Sequence, residues 1–143
     1  MLTKQEIELV QSDWAKVVPI AEAAATMFYD HLFELDPKLR SLFKSDLSEQ
    51  KIKLMKMIGY AVNALDNLGE VVPAVQALGK RHAGYGVVSE HYETVGIALL
   101  STLKKGLGAS FDEAHETAWG KVYGILADTM RAAAEPARAA AAT

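Results

Sequence analysis

The chain has 143 residues, 15 Lys and Arg against 18 Asp and Glu for a formal net charge of −3, and half of its residues are hydrophobic. That length fits one domain, the composition supports a buried core and excludes a disordered or collagen-like chain, and the dispersed basic residues exclude a phosphate-binding face and so nucleic acid as a partner. Cysteine is absent, which removes disulfides, iron–sulfur clusters, zinc ribbons and thiolate ligation and leaves His, carboxylate or Tyr to hold any metal.

The opening segment MLTKQEIELVQSDW spreads its charges instead of joining a basic patch to an apolar run. It does not read as a secretory signal, and a cytoplasmic location is expected. No stretch reaches the ~20 apolar residues that span a bilayer; Glu22, Lys56 and Asn63 interrupt the best candidates.

Apolar positions recur every three or four residues and no strict alternation is present, so the chain is expected to be all-α. Thr3 and Glu6 have the spacing of a capping box, in which each side chain satisfies an orphan amide of the first turn. Ile7, Val10, Trp14 and Val17 then follow on one face, and Pro19 ends the helix. A second helix runs through Ile20, Ala24, Met27, Phe28, Leu32 and Leu35. It stops before Asp36-Pro37, because a residue preceding proline is pushed out of the α region. Residues 37–47 read as a short irregular piece.

Asp46 and Ser48 are rival caps for a third helix, Glu49 to about Asp66, which Asn67-Leu68-Gly69 is expected to end by tolerating positive φ. A shorter helix, Val71–His82, follows, with Val71, Val75, Leu78 and His82 spaced four, three and four so that the histidine continues an inward stripe. Gly84 and Gly86 open a turn, and Ser89 caps the next helix, Glu90–Leu107. Ser110 with Glu113 has the spacing of a second capping box before the last helix, which carries Phe111, Trp119, Val122, Tyr123, Leu126 and Met130 and is expected to end at Pro136. The alanine-rich remainder, 136–143, reads as a frayed tail beyond a domain of residues 1–135.

No P-loop, GxGxxG, HExxH or GxSxG pattern occurs, which leaves the four histidines as the candidate chemistry. His31 and His115 fall on or beside apolar stripes as His82 does, so spacing alone does not choose among them.

Five segments, FYDHLF (28–33), DPKLRSLF (36–43), DNL…VVPAVQALGKRH (66–82), HYETVGIALL (91–100) and AWGKVYGILAD (118–128), stand in an order that resembles the bacterial single-domain haemoglobins and the globin domain of flavohaemoglobins. The likeness covers residues 1 to about 130. It implies a three-over-three helical sandwich around haem b, with His82 as the iron ligand. Tyr92 then matches the residue that helps orient the imidazole. The glutamate that completes this arrangement in flavohaemoglobins has Ala134 at its position, with Glu135 one residue on, which puts the proximal hydrogen-bond network in question. On the distal side the likeness assigns Tyr29 and Gln50 to the bound ligand, with Lys51 or Lys53 in place of Gln50 if the helix begins differently. Leu54 lies one turn later, Phe43 packs against the porphyrin and Arg81 reaches a propionate.

Two donors facing bound oxygen, at ~1.5 kcal/mol each, imply more than a hundredfold in affinity. The expected activity is reversible, high-affinity oxygen binding for storage, delivery or scavenging. An alternative is nitric oxide dioxygenation; with no dinucleotide fingerprint in the chain, which stops about where a flavohaemoglobin's reductase module begins, this would depend on a separate reductase. A haem-free interaction module is the third. The expected partners are O2, NO and other small haem ligands, with the chain a monomer or weak homodimer.

Overall fold

Helix α1 spans Lys4–Val17 and opens on the capping box, with Thr3 Oγ1 accepting from Glu6 N and Glu6 Oε1 accepting from Thr3 N. Pro19 sits in a 3-10 turn, Val18–Ile20, that reverses the chain into α2, Ala21–Leu35. Asp36 leaves the α region at φ −147° and ψ 90°, as the proline after it requires. The computed structural model describes residues 2–42, 47–84 and 89–142; the side chains of residues 42, 68, 81–84, 89 and 134–142 fall outside that description.

Several boundaries differ from expectation. Pro37–Leu42 is a 3-10 helix where an irregular piece was expected. Helix α3 spans Ser48–Asn63, so Ser48 is already helical, and Leu47 precedes it without a side-chain cap; Asp46, the rival cap, lies outside the described residues. The helix ends short of Asp66 because a 3-10 turn, Leu65–Asn67, leads straight into α4, Leu68–Gly84. Asn67-Leu68-Gly69 therefore starts a helix where it was expected to stop one. Among the described residues positive φ occurs at Gly108 alone, +62°, where α5, Ser89–Leu107, gives way to a 3-10 turn. Ser89 is helical, not a cap preceding the helix. Gly86 is outside the described residues.

The second capping box does not form. Ser110 Oγ instead donates to the Leu107 carbonyl, and Asp112 caps α6, Glu113–Ala142, its Oδ1 accepting from the amides of Ala114 and His115. Nor does Pro136 end the helix, whose backbone continues to Ala142.

The described residues contain no strand, and six α-helices with short 3-10 segments between them make up the fold. Helix α6 packs on α4, α1 and α5, while α2 packs on α5 and α3. The main core gathers Val10, Trp14, Phe28, Tyr29, Leu32, Val62, Leu103 and Trp119. A smaller cluster of Ala61, Val71 and Val75, with Leu126 and Met130 against it, joins α3, α4 and α6. At Gly79 the backbones of α4 and α6 approach so closely that a Cβ would lie 2.5 Å from the Met130 carbonyl oxygen. Among the described residues no helix is long and apolar enough to cross a membrane.

Candidate functional site

The inward stripe of α2 carries Ala25, Phe28, Tyr29 and Leu32, all buried. Tyr29 is 3% exposed; its ring meets Phe28 edge-on at 5.0 Å and lies 6.0 Å from Phe33. The side chain of Gln50, from the first turn of α3, is near enough to its phenol to favour the ionised form. Burial pushes the phenol up to about 12, against a smaller lowering by Gln50. The hydroxyl is therefore protonated across the neutral range.

The register of α3 decides which residue meets Tyr29. Lys51 is half-buried, and Lys53 is exposed and reaches back to Glu49 at 3.4 Å, so Gln50 takes the position that the two lysines contest in sequence. One turn on, Leu54 is half-buried against the same core, as are Met55 and Ile58. The result is a neutral phenol and amide set among apolar side chains.

On the other side of the fold, Tyr92 of α5 is 4% exposed. Its carbonyl accepts a hydrogen bond from the Tyr123 hydroxyl of α6, and the Arg131 guanidinium covers its ring at 5.3 Å. Burial raises the Tyr123 phenol far above its ordinary range, partly offset by the Arg131 charge. Tyr123 and Arg131 were missed as candidate site residues, although eight residues of helix, with Ala127 midway, place them on one side of α6.

His82 and Arg81 belong to the last turn of α4, but their side chains lie outside the described residues, as do those of Ala134 and Glu135 and the whole of Phe43. Thus Tyr29, Gln50 and Leu54 are brought together, and Tyr92 gains two α6 partners. His115 is held elsewhere: its Nδ1 is 2.7 Å from Oδ2 of Asp13, a fully buried carboxylate that also accepts from Trp119 Nε1 at 3.0 Å. His31 lies 3.6 Å from the exposed Glu34. Among the described residues no group of three or more His, Asp or Glu side chains is arranged to hold a metal ion.

An uncharged donor pair in apolar surroundings fits a haem pocket that receives a neutral diatomic gas. Comparison with known proteins identifies the family. A flavohemoprotein of Bacillus subtilis is 30% identical over 133 residues, and one of Bacillus thuringiensis 34% over 134, each covering 91% of this chain. The chain spans 33% of the length of those relatives. An engineered carbene transferase from Rhodothermus marinus, described as a candidate nitric oxide dioxygenase, superposes over all of both chains with a TM-score of 0.90 at 26% identity. A bacterial globin from Campylobacter jejuni gives 0.84 at 27% identity, covering 94% of this chain and 97% of its own. The globin family model matches residues 26–130. The chain belongs to the globin family, a membership that implies haem binding and small gaseous ligands.

Proposed function

We propose that the protein is a haem b globin that binds oxygen reversibly and tightly. The observation that carries the reading is the buried Tyr29 phenol with the Gln50 side chain near enough to affect its ionisation. His82 would hold the iron, Tyr92 would help orient its imidazole, Phe43 and Leu54 would pack against the porphyrin, and Arg81 would meet a propionate. When bound, the haem supplies a ferrous centre for diatomic gases and a one-electron couple.

Tyr29 presents a phenolic proton to a polar ligand, and Gln50 fixes the direction of that hydroxyl while offering an amide donor of its own. Hydrogen bonds of this kind favour oxygen over the less polar carbon monoxide and act mainly by slowing release. The core that holds Tyr29, with Leu54, Met55 and Ile58 packed against it, is apolar, which strengthens a hydrogen bond made there. A core folded without a cofactor would more naturally fill these positions with aliphatic side chains than with a phenol and a nearby amide, which speaks against a haem-free interaction module.

A second reading is favoured by likeness to the Rhodothermus marinus protein: dioxygenation of nitric oxide, with electrons from a separate reductase. We assign the globin domain to residues 1–135, and place the protein in the cytoplasm as a monomer or weak homodimer. Nitric oxide consumption by the reduced, oxygenated protein separates the two activities. A carrier consumes about one equivalent and stops even when cell extract and NADH are added. Sustained consumption that depends on the extract would establish the dioxygenase and displace the carrier reading.

A further inference from the structure

Helix α3 presents two opposite faces. Leu54, Ile58 and Val62 belong to the core that holds Tyr29, and Gln50 lies on their side of the helix. At about 100° per residue, Ile52, Lys53, Lys56, Tyr60 and Asn63 fall in one outward arc about 100° wide, and all five are exposed. Ile52 at 56% and Tyr60 at 47% leave large apolar side chains in water, with lysines between and beside them. The helix carries Lys51, Lys53 and Lys56 against one acid, Glu49, in a chain whose formal net charge is −3. Glu49 lies 3.4 Å from Lys53, but both side chains are largely exposed, where solvent weakens the compensation.

An apolar ridge flanked by positive charge is complementary to an acidic partner, and its single-helix width suits the small interfaces of electron-transfer encounters. A second copy would set the same lysines against each other across a two-fold contact. Three basic side chains also fall short of the clusters of ~4–8 that hold a protein to anionic lipid. The arc stands about one helix thickness, ~10 Å, from the Tyr29 and Gln50 side of α3, a short path for an electron. We propose that the outer face of α3 is the docking site of an acidic one-electron carrier protein that reduces the haem iron. The carrier's reduced centre gives up one electron and is oxidised by one, and ferric iron becomes ferrous. This rests on the haem-globin reading and adds to it the surface and the chemical class of its reductant.

The test is stopped-flow reduction of the ferric, hemin-loaded protein by excess reduced plant-type ferredoxin, an acidic one-electron carrier of low potential. The parent's second-order rate should fall about tenfold as salt rises from ~0.01 M to ~0.1 M. At the lower salt the double variant Lys53→Glu with Lys56→Glu should react about tenfold more slowly than the parent. Lys104→Glu, the same charge change at an exposed position of α5, should stay within about twofold. Reduction by dithionite, which needs no docking, should be equal in all three. A parent rate indifferent to salt, a double variant within twofold of the parent, or an equal loss in Lys104→Glu overturns the proposal. So does a dithionite rate that falls in step with the ferredoxin rate, which would place the effect in the haem pocket. Binding to phosphatidylserine vesicles, or a dimer in sedimentation, that the double variant abolishes would give the face to lipid or to a second copy and overturn it too. Should the double variant hold no hemin, Lys56→Gln decides: a rate about threefold below the parent's supports the proposal and an unchanged one overturns it. A parent that takes up no hemin overturns the haem-globin reading and this one with it, whereas a loaded parent with unresponsive variants overturns only this one.

Discussion

At the scale of single residues, the site depends on a hydroxyl kept protonated by burial. Tyr29→Phe removes one donor while preserving the ring that meets Phe28 and Phe33. At ~1.5 kcal/mol for such a bond, stopped-flow oxygen release should accelerate roughly tenfold; an unchanged rate would remove Tyr29 from the binding machinery. Alkaline titration followed by tyrosinate absorbance tests its surroundings. A phenol raised from 10 to about 12 in the folded chain binds its proton longer than in the unfolded chain. That contribution to stability is complete below pH 10 and lost as the pH rises toward 12. Tyr29 should ionise only above pH 11, and a normal titration near 10 would contradict its burial. Periodicity put Phe28 and Leu32 on the inward stripe of α2; Tyr29 and Gln50 were legible only through resemblance, because nothing local in the sequence sets the register of α3 against α2. The place of His115 was hidden for the converse reason: its partner, Asp13, lies 102 positions away.

Elements were most legible where the decisive interaction is local. The Thr3–Glu6 box formed because both partners lie within one turn and nothing competes. Ser110 and Glu113 have the same spacing, but Gly108 at positive φ starts a 3-10 turn that commits Ser110 to Leu107, and Asp112 takes over the cap. Close approaches between helices leave weaker traces, since a glycine within a helix does not say what it faces. Gly79→Ala would press a methyl group into the Met130 backbone, which cannot swing aside as a side chain tip does. Urea unfolding should register a loss of about 1–3 kcal/mol, and a stability equal to the parent's would show that α4 and α6 do not meet there. Asp13 ties α1 to α6 through His115 and Trp119 with no exposure to water. Asp13→Ala strands both donors and should cost about 3 kcal/mol in the same measurement; a loss under about 1 kcal/mol would make the contact incidental. Its sequence signal was an acid at position 13 within the stripe Val10, Trp14, Val17.

For the molecule as a whole, helix order followed from periodicity and the three-over-three class from the resemblance that five segments carry, and the family comparison reaches the same family over residues 26–130. Tertiary packing supplied what local pattern did not: the immediate passage of α3 into α4, the continuation of α6 beyond Pro136, and the gathering of Tyr92, Tyr123 and Arg131 from two helices. All of the proposed chemistry depends on a cofactor held by His82. The most direct measurement is a hemin titration of the purified protein and of His82→Ala, followed in the visible spectrum. One equivalent of hemin should produce an intense Soret band in the parent, markedly weakened in the variant; a parent that shows no Soret band, or a variant indistinguishable from it, would contradict the proposed site.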